Sequence, residues 1–153
     1  MNPDSAVRAL ASDPAVVVTG RVDDVRPFLQ HARVIVAPLR VARGIQNKVL
    51  EAMAMGKPVV VTPAVAAGMA ARVGVELETA SDASEFTERV LALMLDPERA
   101  SRMGALARSR VLQDYIWPAS YARLDALLER DVAAHRVSAQ VAASGVHRTL
   151  AAS

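Results

Sequence analysis

Residues Pro38 to Thr62 read PLRVARGIQNKVLEAMAMGKPVVVT, and this stretch decides the fold. A β-branched run, Val34-Ile35-Val36, leads into it, and another, Val59-Val60-Val61-Thr62, closes it. Both runs are continuous rather than alternating, which is how parallel strands covered on both faces read. Between them the spacing predicts a loop from Pro38 through Gly44 and a helix from Ile45 to Met55. Gly56 suits a left-handed helix stop, and Pro58 prevents the helix from resuming. On that helix Ile45, Val49, Ala52 and Met53 share a face that can pack on the sheet, leaving Asn47, Lys48 and Glu51 on the other side.

Working outward, the same alternation extends in both directions. Upstream, Val16-Val17-Val18-Thr19 predicts an earlier strand. Gly20 then permits a turn, and Asp23 is placed to cap a helix to about His31, with Pro27 near its first turn. Downstream, Val75 to Thr79 reads as a further strand, the least distinct of the four. Asp82 with Glu85 three residues later predicts a capping-box-like start for a helix to about Leu95. Asp96-Pro97 predicts a second start, for a helix to about Gln113. Trp117-Pro118 is expected to break the chain before a last helix carrying Tyr121, Leu124, Leu127 and Leu128 on one stripe. Trp117 is expected to pack that helix against the domain. Residues 131–153 are mainly Ala, Ser and Val, offer no bulky apolar stripe, and are expected to be poorly ordered. The expected architecture is α/β: a partial, Rossmann-like, doubly wound parallel sheet over residues 1–130 followed by C-terminal helices.

Composition narrows the function classes. The chain has 153 residues, enough for one domain with a real core. Cys is absent, which removes disulfides, Cys-based zinc sites and a Cys nucleophile together. The net charge of +2 comes from Arg residues spread between Arg8 and Arg148. That scatter, without interleaved aromatics, argues against a nucleic-acid partner. The N-terminal stretch lacks a secretory pattern, and the longest apolar stretch, Val59 to Ala71, falls short of the roughly 20 residues a membrane helix needs. A cytoplasmic chain is expected. Asp23-Asp24 reads as helix capping rather than a metal site. His31, His135 and His147 have no acidic or nucleophilic companions at useful spacing. The six Met residues read as core filler. No metal and no cofactor is expected.

The chemistry concentrates in the opening stretch. In open α/β sheets, ligands bind in the crevice beyond the C-terminal ends of the strands. Gly44 lets a ligand approach bare backbone there, and the first-turn N–H groups of the following helix can meet a phosphate. Leu50-Glu51-Ala52-Met53-Ala54 and Gly56-Lys57-Pro58-Val59-Val60, after a strand and a glycine loop, resemble the signature of GT-B glycosyltransferases of the large retaining, group 1, family-4-like class. Thr19 to Val25, TGRVDDV, resembles that family's loop near the nucleotide base. The wording ARGIQNKVLEAMAMGKPVV is most similar to sugar transferases of exopolysaccharide and exosortase (PEP-CTERM) systems.

The resemblance implies a nucleoside diphosphate sugar as donor substrate. It implies that Glu51 holds the ribose hydroxyls, since a carboxylate can accept two protons at once. Gly44 and Ile45 match the backbone facing the diphosphate and sugar, and Arg21 and Val22 match the loop near the base. Lys48 joins the candidate donor-binding residues, although on its own an i, i+3 pair with Glu51 on a solvated face is the simpler reading. One position departs from the pattern. The family has an acidic residue eight positions before Glu51, where this chain has Arg43, which cannot accept hydroxyl protons but can pair with a diphosphate, an anionic sugar or an anionic acceptor. Arg43 is the one candidate for a catalytic role, and Arg40 and Lys48 could join it in that pairing. The resemblance further implies a partner domain: a GT-B enzyme has two such domains, and residues 1–130 match the second, without its first βα units. The acceptor is then a saccharide or a lipid-linked one, with action in the cytoplasm or at the inner face of the membrane. Two other readings stand beside this: a non-catalytic nucleotide- or partner-binding module, and a GT-B-fold sugar-nucleotide epimerase, against which the Leu50-to-Ala54 wording argues.

Overall fold

A computed structural model describes residues 3–118, together with residues 121, 125, 126, 128 and 129. Three parallel strands form the sheet in the order β1-β2-β3: Ile35–Ala37, Val59–Val61 and Glu78–Thr79. β1 is in register with β2 through Val36 and Val60, and β2 with β3 through Val61 and Thr79. Around them run α1 (Ser5–Ala9), a 3-10 turn (Leu10–Ser12), α2 (Arg26–His31), α3 (Asn47–Ala54), α4 (Pro63–Ala67), α5 (Ala83–Leu95) and α6 (Pro97–Asp114). This is the predicted α/β class, an open parallel sheet wound with helices.

The middle strand explains the layering. Successive side chains of a strand point to opposite faces. Val59 and Val61 join the larger cluster with Leu29, Val49, Ala52, Met53, Leu77, Ala107 and Val111. Val60 joins the smaller one with Ala80, Leu93 and Met103. All three valines are fully buried, as the continuous run required. α3 and α6 therefore lie over one face and α5 over the other. α6 serves both, with Met103 in the smaller cluster and Ala107 and Val111 in the larger.

Local signals set most helix ends. Asp82 accepts from the Glu85 N–H at 3.0 Å, and the Glu85 carboxylate reaches back to the Ser81 N–H at 2.7 Å, completing the expected box one residue earlier. Asp96 caps α6 through the Arg99 N–H at 2.9 Å. Gly56 takes a φ of 69° after α3.

Several expectations need correction. Val16 to Thr19 forms no strand, and Val17 is 82% exposed. The sheet consists of β1, β2 and β3 among the described residues, and the run pairs with none of them. α2 is capped by neither Asp23 nor any side chain at its cap position; Asp24 instead accepts from the Arg26 N–H at 2.9 Å. The predicted strand Val75–Thr79 shrinks to Glu78–Thr79, preceded by a single bridge between Val73 and Leu77. The break after α6 falls at Tyr115–Ile116, where the Tyr115 hydroxyl accepts from the Ala70 N–H at 2.6 Å. Trp117 does not pack on the domain: it is 75% exposed and stacks on the exposed Tyr121 at 5.8 Å. Of the Met residues, Met53, Met69 and Met103 are core, while Met94 is exposed. Leu124, Leu127, His135, His147 and the 131–153 tail lie outside the described residues.

Candidate functional site

The loop between β1 and α3 is fixed by short-range devices. Gly44 adopts a φ of 63°, a conformation that a side chain would strain. The Gln46 side-chain amide donates to the carbonyls of Arg43 and Gly44 at 3.3 and 3.4 Å. From the other side Gly68, at the end of α4, abuts the Gly44 carbonyl so closely that a Cβ on Gly68 would lie 2.8 Å from that oxygen. The Thr62 hydroxyl, just past β2, donates to the Leu39 carbonyl at 2.8 Å and ties the loop to the neighbouring strand end.

α3 begins at Asn47, two residues later than predicted, because Gln46 remains extended. Ile45 therefore leaves the packed face assigned to it and is 50% exposed. Val49, Ala52 and Met53 do pack, and Asn47, Lys48 and Glu51 are exposed as expected. Lys48 and Glu51 form no ion pair with each other, and no hydrogen bond or ion pair engages the Glu51 carboxylate among the described residues. The simple surface-pair reading is thus not what the side chains do. Arg43 is likewise exposed and lacks an acidic partner among the described residues. One loop–helix unit presents Arg43, Gly44, Ile45, Lys48 and Glu51 together. Arg21 is exposed and Val22 half-buried before α2, and no hydrogen bond or ion pair joins either to that unit.

On the other side of the loop lies a cleft of about 660 Å³ that the sequence did not reveal. It opens at the C-terminal ends of the strands, between β1 and α5. Val36, Pro38, Phe86 and Val90 supply apolar walls; Arg40, Thr62, Ser81 and Asp82 supply polar groups. Asp82 reads in sequence only as a cap, and only the β3-to-α5 turn brings it to the mouth of this cleft. No group of His, Asp or Glu able to hold a metal occurs among the described residues. None of the described helices is long and apolar enough to cross a membrane.

Sequence comparison decides the family. The profile of the glycosyl transferases group 1 matches residues 2–96, more than half the chain and every element through α5. The chain belongs to the group 1 glycosyltransferases. No curated protein matches it. The glycosyltransferase assignment gives the loop–helix unit its context: glycosyl transfer requires a donor and an acceptor, and this unit presents exposed Arg43, Lys48 and Glu51, none with a hydrogen-bond or ion-pair partner for its side chain among the described residues.

A second polar cluster lies away from this edge. Glu76 is buried and takes a two-pronged contact from Arg110, at 3.1 Å to each oxygen, with further bonds from the Arg72 backbone and side chain. Burial pushes its carboxyl up, but the hydrogen bonds from Arg110 and Arg72 outweigh this and hold it below the ordinary Glu range. Arg110 also binds Asp114 at 2.9 Å, and its partners hold its guanidinium firmly charged. Buried Glu78 pairs with Arg99. These pairs fasten α6 to the β3 region and are structural.

Proposed function

We propose that this domain binds the nucleoside diphosphate sugar for transfer of a hexosyl group to a saccharide or lipid-linked acceptor, in polysaccharide assembly at the cytoplasmic face of a membrane. Glu51 carries the reading. It is an exposed carboxylate without a hydrogen-bond or ion-pair partner among the described residues, one turn into the helix that follows the Gly44 loop. Its two oxygens can accept both ribose hydroxyls. Gly44 and Ile45 offer backbone to the diphosphate, and Arg43 and Lys48 counter its charge as the glycosidic bond breaks, which is stabilisation of a leaving group by fixed donors. Arg21 and Val22 form the side towards the base. Arg43 acts on charge rather than as a proton acceptor. The acceptor and its activation belong to a partner domain. The subfamily reading, polysaccharide-export sugar transferases, rests on the Ala42-to-Val60 wording alone. The exposed edge of β1 favours a second reading, a module whose role is association with a partner chain.

Thermal unfolding followed by circular dichroism, with UDP, GDP and their sugar conjugates, tests this. One nucleotide at 100 times its dissociation constant should add about 2.7 kcal/mol of stability. At roughly 2–4 °C per kcal/mol that is a shift of several degrees. Glu51→Ala should abolish the shift while leaving the unliganded transition in place. A cooperative transition that no nucleotide moves would rule out donor binding by this chain and leave the association reading.

A further inference from the structure

Arg40 sits three residues before Arg43, on the β1–α3 loop, but it faces a different space. It is exposed, has no carboxylate partner among the described residues, and lines the cleft on the α5 side of the sheet. Five described arginines, Arg26, Arg72, Arg99, Arg102 and Arg110, pair with carboxylates; Arg40, like Arg43, does not. The carboxylate that shares the cleft with Arg40, that of Asp82, accepts the Glu85 N–H to cap α5. Among the described residues Arg40 is therefore the cleft's single cation, and no ion pair neutralises it. Its loop is held in place by the Gln46 amide, the Gly68 contact and the Thr62 hydroxyl. A guanidinium carried on that held loop, beside apolar walls, is matched by an anion carried on a less polar body.

The donor reading leaves this group over. A diphosphate lying against Gly44 has Arg43 and Lys48 within the same loop–helix unit to meet its two charges. Arg40, on the cleft side, is then free for a different anion on the part of the ligand beyond the nucleotide. We propose that Arg40 is a specificity residue that recognises a second anionic group, a carboxylate or a phosphate, on the sugar or acceptor that enters the cleft. The inference rests on the donor reading for its setting, but the cleft and its cation stand without it.

Calorimetric titration of the wild-type chain, Arg40→Gln and Arg40→Lys separates the possibilities. The ligands are UDP, GDP, UDP-glucose, UDP-glucuronate, GDP-mannose, GDP-mannuronate and farnesyl phosphate. Arg40 is exposed and unpaired, so both variants should fold, which circular dichroism checks. The expected result is that one anion-bearing ligand binds about tenfold more tightly than its neutral counterpart. Arg40→Gln should erase that preference without weakening the bare nucleotide, and Arg40→Lys should restore part of it. A preference among the sugar conjugates places the anion on the donor. Arg40-dependent binding of farnesyl phosphate places it on a lipid acceptor, and supports the inference even if no nucleotide binds. Equal binding of uronate and neutral conjugates, with no Arg40-dependent farnesyl phosphate binding, overturns the inference and leaves the donor reading intact. Absence of all binding overturns both.

Discussion

Gly104 shows how tightly single positions are set. It lies in α6 against the turn that ends α3, and a Cβ there would stand 2.0 Å from the Gly56 carbonyl oxygen. The obstacle is backbone and cannot swing aside. Replacing a helical glycine by alanine ordinarily gains about 1 kcal/mol. Here overpacking, about 1–3 kcal/mol and at the upper end against backbone, should win. Gly104→Ala is expected to lower the urea midpoint without changing the slope of the transition. Neither side of this contact was legible in the sequence: Gly56 read only as a helix stop, and Gly104 had no evident role. The loop–helix unit behaved differently. Glu51, Lys48 and Gly44 stand where the sequence placed them because their positions depend on one helix and one turn. Ile45 did not, because an extended Gln46 delayed the helix by two residues.

At the scale of elements, local chemistry was readable and distant pairing was not. The starts of α5 and α6 lie where Asp82 and Asp96 put them, each within three residues of the N–H it binds. The pair Glu76 and Arg110 spans thirty-four positions, and nothing in the periodicity joins them. That pair makes stability depend on pH. Glu76 titrates lower when folded than when unfolded, so the unfolded chain takes up its proton first as pH falls. The contribution is complete above the ordinary Glu range and is lost as pH drops through that range towards the folded value. Denaturant midpoints measured from pH 7 down to pH 3 should fall more steeply for the wild type than for Glu76→Gln. The substitution should itself destabilise at neutral pH, because Arg110 loses its charged partner in a place where Glu76 is only 2% exposed. Identical pH profiles would show that the pair contributes nothing to linkage.

Among the described residues the sheet has one finished face and one open one. α3 and α6 cover the first, whereas α5 covers only part of the second, leaving Val36 48% exposed beside the cleft. The Ile35 N–H donates to the Pro58 carbonyl at 3.0 Å, so the next residue, Val36, turns its own N–H and carbonyl to the edge that pairs with no described strand. Parallel sheets are stable when both faces and both edges are satisfied. The parallel sheet was legible from the alternation of runs and helices, but the failure of Val16 to Thr19 to pair was not. A strand signal records the residue's suitability for a ladder, and the ladder must come from elsewhere. The purified chain is expected to self-associate as concentration rises in sedimentation experiments, and Val36→Lys should reduce this by placing a charge on the edge. A sedimentation coefficient independent of concentration would mean that the edge is inert. The position of Trp117 has its own consequence. It is the only tryptophan, and it lies exposed beyond the end of α6, stacked on Tyr121 rather than on the core. Its emission will resemble that of indole in water even in the native protein. It will report the loss of one local stack, while circular dichroism reports the melting of the sheet and helices. Two transitions that fail to coincide would then be a property of where the fluorophore sits, not of an intermediate on the unfolding path.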